Sequence, residues 1–365
     1  MTTPVAVRLH RVRYPLRTPH AAAHGVEVER DLILVEVEFA DGVIGWGECS
    51  ALARPTYTSE HTAGAWFVLR DELAPAAVEG RSFDVVGHPM ALAAMRGAML
   101  DASGRRRGQN LAGHFAARAG FPEPRAAVER CAVVGRRDVL DDLVAEVGEL
   151  LEGRVDAVKL KVTPQPADLA AVAGVRTAWP DLRLAVDFNG TATSEAARAV
   201  ARHGLAYIEQ PAPAGDLLGS AQIAAEVDCP VALDESIATV EGLHLAERVG
   251  AGRIVNVKPA RCGGLEEAIA MLVAARDLGW SAFVGGMVES GVGRAAALCV
   301  AAQALPSLPT DLGPSLAYVD VDLTDAIELD ELGRVVVPDG PGIGRVPIAD
   351  RLGAATVDRA EIPAP

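Results

Sequence analysis

The chain has 365 residues, of which 50% are hydrophobic and 23% are charged, and its formal net charge is −15. This composition predicts a globular protein with an ample core, organised as one large domain and one smaller one. The negative charge argues against nucleic acids and anionic membranes as partners, although a single site can still bind an anionic small molecule. We expect no membrane span, because no apolar run approaches the roughly 20 residues that one needs, and we expect no secretory signal.

The cysteines are scattered along the chain without paired spacing. Such a set is typical of reduced thiols and not of a disulfide framework or a zinc site, so we expect a cytoplasmic protein. We also expect a homo-oligomer, whose number of subunits the sequence leaves open. The cysteines are Cys49, Cys131, Cys229, Cys262 and Cys299.

The N-terminal region predicts strands followed by helices. A hairpin turn at Asp41-Gly42 separates the strongest strand signal, 31–39, from a return strand at 43–48. Upstream of these strands, the polar stretch 17–29 lacks periodicity and predicts a loop. From about 59 to 117 the pattern is helical and rich in alanine, so the region as a whole predicts an α+β unit.

The pattern changes after Pro124, where short apolar strands alternate with helical stretches. This alternation predicts parallel strands joined by right-handed crossovers. Seven or eight such units in about 190 residues suit a barrel better than an open sheet. The predicted strands are 131–134, 157–162, 182–188, 206–209, 231–234, 254–258 and 282–287, with a shorter candidate at 310–312. The predicted helices include 166–178, 194–203, 217–227, 240–249 and 265–278.

The chain loses this alternation from about Ser315. The apolar run 335–337 and the Pro- and Gly-rich stretch 338–344 predict a tail that packs back on the N-terminal unit. The predicted organisation is therefore an α+β domain over 1–124, a barrel over 125–314 and a returning tail over 315–365.

Acidic residues end three successive predicted barrel strands. Asp187, Glu209 and Asp234 are separated by 22 and 25 residues, about one strand–helix unit each. Because the C-terminal ends of barrel strands lie on one face, these side chains should converge. Each acid alone would fit a helix N-cap, but three neighbouring carboxylates repel one another and need a cation. An all-oxygen set of ligands suits Mg²⁺, with Mn²⁺ as an alternative.

Lysines flank this predicted cluster on both sides. Lys159 and Lys161 alternate with Leu160 in an apolar strand, so both amines should point to the same face. A solvated edge strand would explain this pair alone. However, Lys258 ends another strand, 24 residues after Asp234. The two strand-end lysines, Lys161 and Lys258, are therefore expected on opposite sides of the acids.

Together these motifs resemble the enolase superfamily, in its muconate-lactonising branch. Lys159-Leu160-Lys161 is similar to the Lys-x-Lys base motif of that branch. The segments 255–264 and 285–294 are most similar to the family of o-succinylbenzoate synthases and N-succinylamino acid racemases. The resemblance covers nearly the whole chain and implies an α/β fold, a modified TIM barrel (β/α)7β with an α+β capping domain formed by the N-terminal region and the C-terminal tail. Similar proteins often place a serine on the first barrel strand, which here is Cys131-Ala132-Val133-Val134-Gly135.

The resemblance also implies roles for individual residues. The metal ligands would be Asp187, Glu209 and Asp234. The catalytic residues would be Lys161, Lys258 and Lys159. Further candidates for binding a small-molecule carboxylate substrate are Arg261, Glu289, Ser290 and Asn189. A surface position would equally explain Arg261, and turn or helix-cap roles would explain Glu289 and Ser290.

The activity that the resemblance favours is that of o-succinylbenzoate synthase, which belongs to menaquinone biosynthesis. Lys161 would remove the α-proton of 2-succinyl-6-hydroxy-2,4-cyclohexadiene-1-carboxylate, hydroxide would leave the adjacent carbon, and Lys258 would act as a cation. An alternative is N-succinylamino acid racemase, in which both lysines transfer protons. Cycloisomerase or dipeptide epimerase chemistry is a further alternative. A non-catalytic barrel with or without a structural metal would not require the lysines.

Overall fold

The computed structural model describes residues 3–22 and 25–365. In chain order, the strands are β1 (Ala6–Ala22), β2 (Gly25–Glu38), β3 (Ile44–Cys49), β4 (Ala127–Val128), β5 (Cys131–Val134), β6 (Ala157–Lys161), β7 (Leu184–Asp187), β8 (Ile208–Glu209), β9 (Val231–Leu233), β10 (Ile254–Val257), β11 (Ser281–Val284), β12 (Val335–Val336) and β13 (Thr356–Pro363).

The helices fall into a group near the N-terminus and a group that alternates with the parallel strands. They are α1 (Thr62–Val68), α2 (Ala74–Glu79), α3 (Pro89–Arg106), α4 (Leu111–Ala119), α5 (Leu140–Glu152), α6 (Pro166–Ala178), α7 (Ser194–Ala201), α8 (Leu217–Glu226), α9 (Val240–Val249), α10 (Pro259–Cys262), α11 (Leu265–Asp277), α12 (Gly291–Ala301) and α13 (Ala349–Ala355). A π-helical stretch over Leu69–Leu73 joins α1 to α2. Within the described residues, no helix combines the length and the apolar character needed to cross a bilayer.

The N-terminal sheet is antiparallel, in the order β13-β1-β2-β3. We call this sheet, together with α1 to α4, the cap. The sheet packs directly on α3, because β3 carries glycine at 45 and 47. A Cβ at Gly45 would lie 2.2 Å from the Ala98 carbonyl oxygen, and one at Gly47 would lie 1.9 Å from that of Ala94. The tail returns to the cap, since β13 pairs with β1 along most of its length.

The prediction of a loop over 17–29 is wrong for the described part of this stretch. The ladder between β1 and β2 continues outward, past an irregularity between Pro15 and His20, to the pair Ala22 and Gly25. Positions 23 and 24 lie outside the described residues. The outer end of this hairpin projects beyond the core, and Val26 and Val28 are 66% and 61% exposed. A strand without a buried face need not show alternating hydrophobicity, which is why the sequence pattern missed it.

The second sheet contains seven parallel strands, β5 to β11, in sequential order. The shorter predicted strand at 310–312 is a bridge instead, and it links the two edges of this sheet. Thr310 donates its N–H to Glu129 and accepts from the N–H of Cys131 beside β5, whereas the Asp311 N–H donates to Val284 of β11. These bonds close the sheet into a barrel, which confirms the predicted fold class.

The predicted barrel helices agree closely with the structure. The predictions 166–178 and 240–249 coincide with α6 and α9, and 194–203, 217–227 and 265–278 end at most two residues later than α7, α8 and α11. The three-part division at 124 and 314 stays a proposal.

Glu60 of the cap should make stability depend on pH. Its carboxylate is buried and accepts the N–H groups of Met90 and Ala91 at the start of α3. Burial raises the pKa of Glu60 from 4.5 to about 7, although both backbone hydrogen bonds oppose the shift. The folded state therefore holds this proton more tightly than the unfolded state does. The stabilising contribution of protonated Glu60 is complete below about pH 4.5 and is lost as the pH rises through about 7.

We expect Glu60→Gln, which mimics the protonated acid, to remove this dependence. The difference in the free energy of unfolding between wild type and variant should change by on the order of 3 kcal/mol between pH 4.5 and 7. Urea unfolding of both proteins across this pH range measures the change, and Glu123→Gln, at an exposed position, is the control. Parallel curves for wild type and Glu60→Gln would contradict the prediction.

Candidate active site

A cavity of about 560 Å³ lies at the C-terminal ends of the barrel strands, under the cap. Both the β1–β2 hairpin and the cap loop around Tyr57 contribute to its wall. On the first barrel strand, the cavity meets Ala132 and Val133. All six residues predicted as metal ligands or catalytic groups line this cavity: Lys159, Lys161, Asp187, Glu209, Asp234 and Lys258.

Strand register brings the three predicted acids together. Asp187 is the Cα partner of Glu209 in the parallel ladder of β7 and β8. Glu209 in turn pairs with Ala232 of β9, and Asp234 lies two residues further along, on the same face. All three residues are at most 1% exposed. Water therefore does little to screen their mutual repulsion.

Each of these acids is paired with a different lysine. The Lys161 amine is 2.6 Å from Asp187, the Lys159 amine is 2.5 Å from Glu209, and the Lys258 amine is 2.8 Å from Asp234. The sequence contains three lysines in total, so every lysine of the chain lies in this cluster, and the remaining 31 of its 34 basic residues are arginines (34 − 3). Lysine can give up its proton under conditions in which arginine cannot.

The buried acids differ in their affinity for protons. Burial raises the pKa of Glu209 to about 8, although Lys159 acts in the opposite direction. Burial also acts to raise the pKa of Asp234, but Lys258 and Arg261 outweigh it and hold this pKa below its usual value. For Lys159, burial acts to lower the pKa, but the carboxylates of Asp311 and Glu209 raise it well above that of a free lysine. Charge compensation is therefore uneven across the site.

The oxygen donors of the cluster suit a hard divalent cation. Asp187, Glu209 and Asp234 supply carboxylate oxygens, the ligand type that Mg²⁺ prefers. Within the described residues, no three acidic, histidine or cysteine side chains already surround one point. Instead, the lysine amines hold the carboxylate oxygens. The donor chemistry thus fits Mg²⁺, and binding would require these ion pairs to be exchanged.

Two protein-family models match the chain. Residues 4–113 match "Mandelate racemase / muconate lactonizing enzyme, N-terminal domain", and residues 142–350, more than half of the chain, match "Enolase C-terminal domain-like". The chain belongs to the enolase superfamily. The resemblance inferred from the Lys-x-Lys motif and the strand-end acids is thereby confirmed.

Relatives from this superfamily carry the names of both expected enzymes. An N-succinylamino acid racemase from Amycolatopsis sp is 35% identical, with 96% of each chain covered. An o-succinylbenzoate synthase from Geobacillus stearothermophilus is 31% identical, covering 93% of this chain and 92% of the relative. The solved structure of a probable mandelate racemase from Alicyclobacillus acidocaldarius is 36% identical, with a TM-score of 0.91 over 98% of this chain and 97% of that one. These similarities support both activities without separating them.

Of the four predicted substrate contacts, Asn189 lines the cavity. Its side-chain oxygen accepts from the Lys161 amine at 3.1 Å, and its amide nitrogen donates to Asp187 and Glu235. Its φ of +44° is unusual for a residue other than glycine. Gln210 and Val288 share this feature, with φ of +39° and +56°, and all three follow barrel strands. Strained backbone of this kind concentrates at functional sites.

Arg261, Glu289 and Ser290 lie outside the wall of the cavity. Arg261 is not a surface residue, since it is 4% exposed and donates to the backbone and side-chain oxygens of Asp234. Ser290 caps α12 by accepting from Val292, and its hydroxyl donates to Glu48. The Glu289 carboxylate accepts the N–H of Met287. The helix-cap and turn interpretations thus describe these last two residues.

Three polar residues at the site were missed in the sequence. Asp311 binds the Lys159 amine at 2.6 Å, and Asn256 donates to Glu209 at 2.9 Å. The Tyr57 hydroxyl lies 3.0 Å from the Lys258 amine. Asn256 precedes Lys258 by two residues, so strand alternation could have found it, and Asp311 lies within the short 310–312 candidate. Tyr57 lies in a loop of the cap, where no pattern marked it.

Proposed function

We propose that this protein removes a proton from the carbon next to a carboxylate of a small-molecule substrate. Its main reaction would be the dehydration of 2-succinyl-6-hydroxy-2,4-cyclohexadiene-1-carboxylate to o-succinylbenzoate. The observation that carries this proposal is the placement of the chain's three lysines against three buried strand-end carboxylates in one cavity. The activity of the synthase relatives supports the same choice. Menaquinone biosynthesis, the cytoplasm and a homo-oligomeric state belong to this proposal.

We assign Asp187, Glu209 and Asp234 as the ligands of Mg²⁺, with Mn²⁺ as a substitute. Their oxygen chemistry and adjacent register support this assignment. When bound, the ion would stabilise the negative charge that builds up on the substrate carboxylate as the proton leaves.

Lys161 is the proposed base. It lies at the end of β6, where Asp187 and Asn189 fix its amine by hydrogen bonds of 2.6 and 3.1 Å. In its neutral form this amine accepts the α-proton, and hydroxide then leaves from the adjacent carbon. Lys258, held by Asp234 and Tyr57, supplies positive charge from the other side. Lys159, fixed between Glu209 and Asp311, orients Glu209.

N-succinylamino acid racemase activity is the second candidate. Lys161 is the last residue of β6 and Lys258 follows β10, so the two amines reach the cavity from opposite sides of the acids. Racemisation needs such a pair, because one amine removes the α-proton and the other returns a proton to the opposite face. The racemase relative at 35% identity supports this candidate as well.

Dehydration of the cyclohexadiene substrate tests the main proposal. We expect turnover with Mg²⁺, its loss on treatment with EDTA, and its recovery when Mg²⁺ is restored. Circular dichroism before and after EDTA controls for unfolding. A folded protein that shows no turnover with either Mg²⁺ or Mn²⁺ would overturn the synthase proposal.

A further inference from the structure

Arg30 is a fully buried arginine in the cap, close to the cavity but not in its wall. A guanidinium group in such a position is costly unless its N–H groups are hydrogen-bonded. Its partners here belong to three separate segments. It donates to Val288 at 3.1 Å through Nε, to Ser50 at 2.9 Å through Nη2, and to the Glu27 carboxylate at 3.2 Å through Nη1.

Each of these segments contributes to the wall of the cavity. Glu27, from the hairpin, and Val288, after β11, line the cavity themselves. Ser50 is two residues from Leu52, which also lines it. Arg30 therefore connects the hairpin, the loop after β3 and the barrel loop after β11 without lining the cavity itself. We call these three segments the Arg30 wall.

Val288 is the residue of the Arg30 wall with a strained backbone conformation. It is a β-branched residue with φ of +56°, a backbone conformation that favours glycine. Such a conformation is costly and persists where neighbouring contacts enforce it. The hydrogen bond from Arg30 Nε to the Val288 carbonyl is one such contact. The position of Val288 in the cavity thus depends on a side chain of the cap.

We infer that Arg30 is a positioning residue that sets substrate affinity by fixing the Arg30 wall. It acts through the backbone of Val288 and Ser50 and through Glu27, and does not touch the reacting atoms. The inference rests on the proposed function only in taking the cavity as the substrate site. It predicts that loss of Arg30 weakens substrate binding while the lysines and acids keep their chemistry.

Steady-state kinetics of Arg30→Met on the cyclohexadiene substrate tests this inference. We expect KM to rise about tenfold or more while kcat stays within about threefold, because the wall loses its preorganisation but the base keeps its geometry. Arg176→Met is the matched control. Arg176 also bonds several backbone carbonyl groups, among them those of Leu182 and His203, but it is remote from the cavity. The Arg176→Met variant should have a lower melting temperature than wild type and an unchanged KM.

A second variant keeps the test decisive if Arg30→Met does not fold. Val288→Gly removes the backbone strain and weakens the order of the wall, so KM should rise without a fall in melting temperature. Equal kinetic effects in Arg30→Met and Arg176→Met would overturn the inference, as would an unchanged KM in Val288→Gly.

Amide hydrogen exchange separates this inference from the proposed function. Exchange over 286–290 should become faster in Arg30→Met but not in Arg176→Met, whichever reaction the protein catalyses. Wild-type protein without activity would overturn the proposed function alone. Unchanged exchange over 286–290 in Arg30→Met would overturn the role of Arg30.

Discussion

Lys161→Ala is expected to lower the turnover number by about 10²–10⁴-fold, the usual contribution of a positioned general base. The variant keeps the three acids but loses the amine that lies 2.6 Å from Asp187. Lys161→Arg is the more informative companion. Arginine can retain the ion pair with Asp187, but it stays protonated and cannot accept the α-proton. Both variants should therefore show this large loss of turnover in the dehydration assay while melting close to wild type.

Arg137→Ala is the matched control for the loss of a cation. Arg137 also lines the cavity, but it is paired with Glu146, away from the acidic cluster. Its replacement should change the turnover number by less than about threefold, as for most surface ion pairs. If Lys161→Arg retained near-wild-type turnover, another group would have to be the base.

Lys258→Arg should separate the two candidate activities. Lys258 is bound to Asp234 at 2.8 Å and to Tyr57 at 3.0 Å, and an arginine at this position keeps the positive charge. Dehydration needs only that charge, so we expect it to survive with a loss of about tenfold or less. Racemisation requires Lys258 to transfer a proton, so it should fall by about 10²-fold or more.

The comparison is made on one preparation, with the two substrates assayed in parallel. Loss of dehydration in Lys258→Arg to the same extent as in Lys161→Ala would show that Lys258 also transfers a proton in that reaction. Retained racemisation would exclude the two-lysine mechanism.

The sequence predicted the barrel and its acidic cluster well because the end of a strand can be recognised from the local run of apolar residues. Asp187, Glu209 and Asp234 follow apolar runs at steps of one strand–helix unit, and parallel register then brings them together. The same logic placed Lys161 and Lys258 in the cavity.

The sequence failed where tertiary contacts decide the outcome. Arg261 follows Lys258 by three residues, but nothing local shows that its guanidinium turns inward to Asp234. Tyr57 reaches Lys258 from the cap across 201 positions of chain. The outer part of the β1–β2 hairpin is held by backbone hydrogen bonds and not by a buried face, so it carries no hydrophobic period. Such features can be recognised only in the folded structure.

The most direct test of α-proton removal is proton NMR in D₂O. N-succinyl-L-amino acids would be incubated with wild type and Mg²⁺, with wild type and EDTA, and with Lys161→Ala and Mg²⁺. We predict that the α-proton signal disappears with Mg²⁺-loaded wild type and persists in the other two samples. Persistence of the signal with folded, Mg²⁺-supplied wild type, together with no dehydration of the cyclohexadiene substrate, would contradict the proposed chemistry.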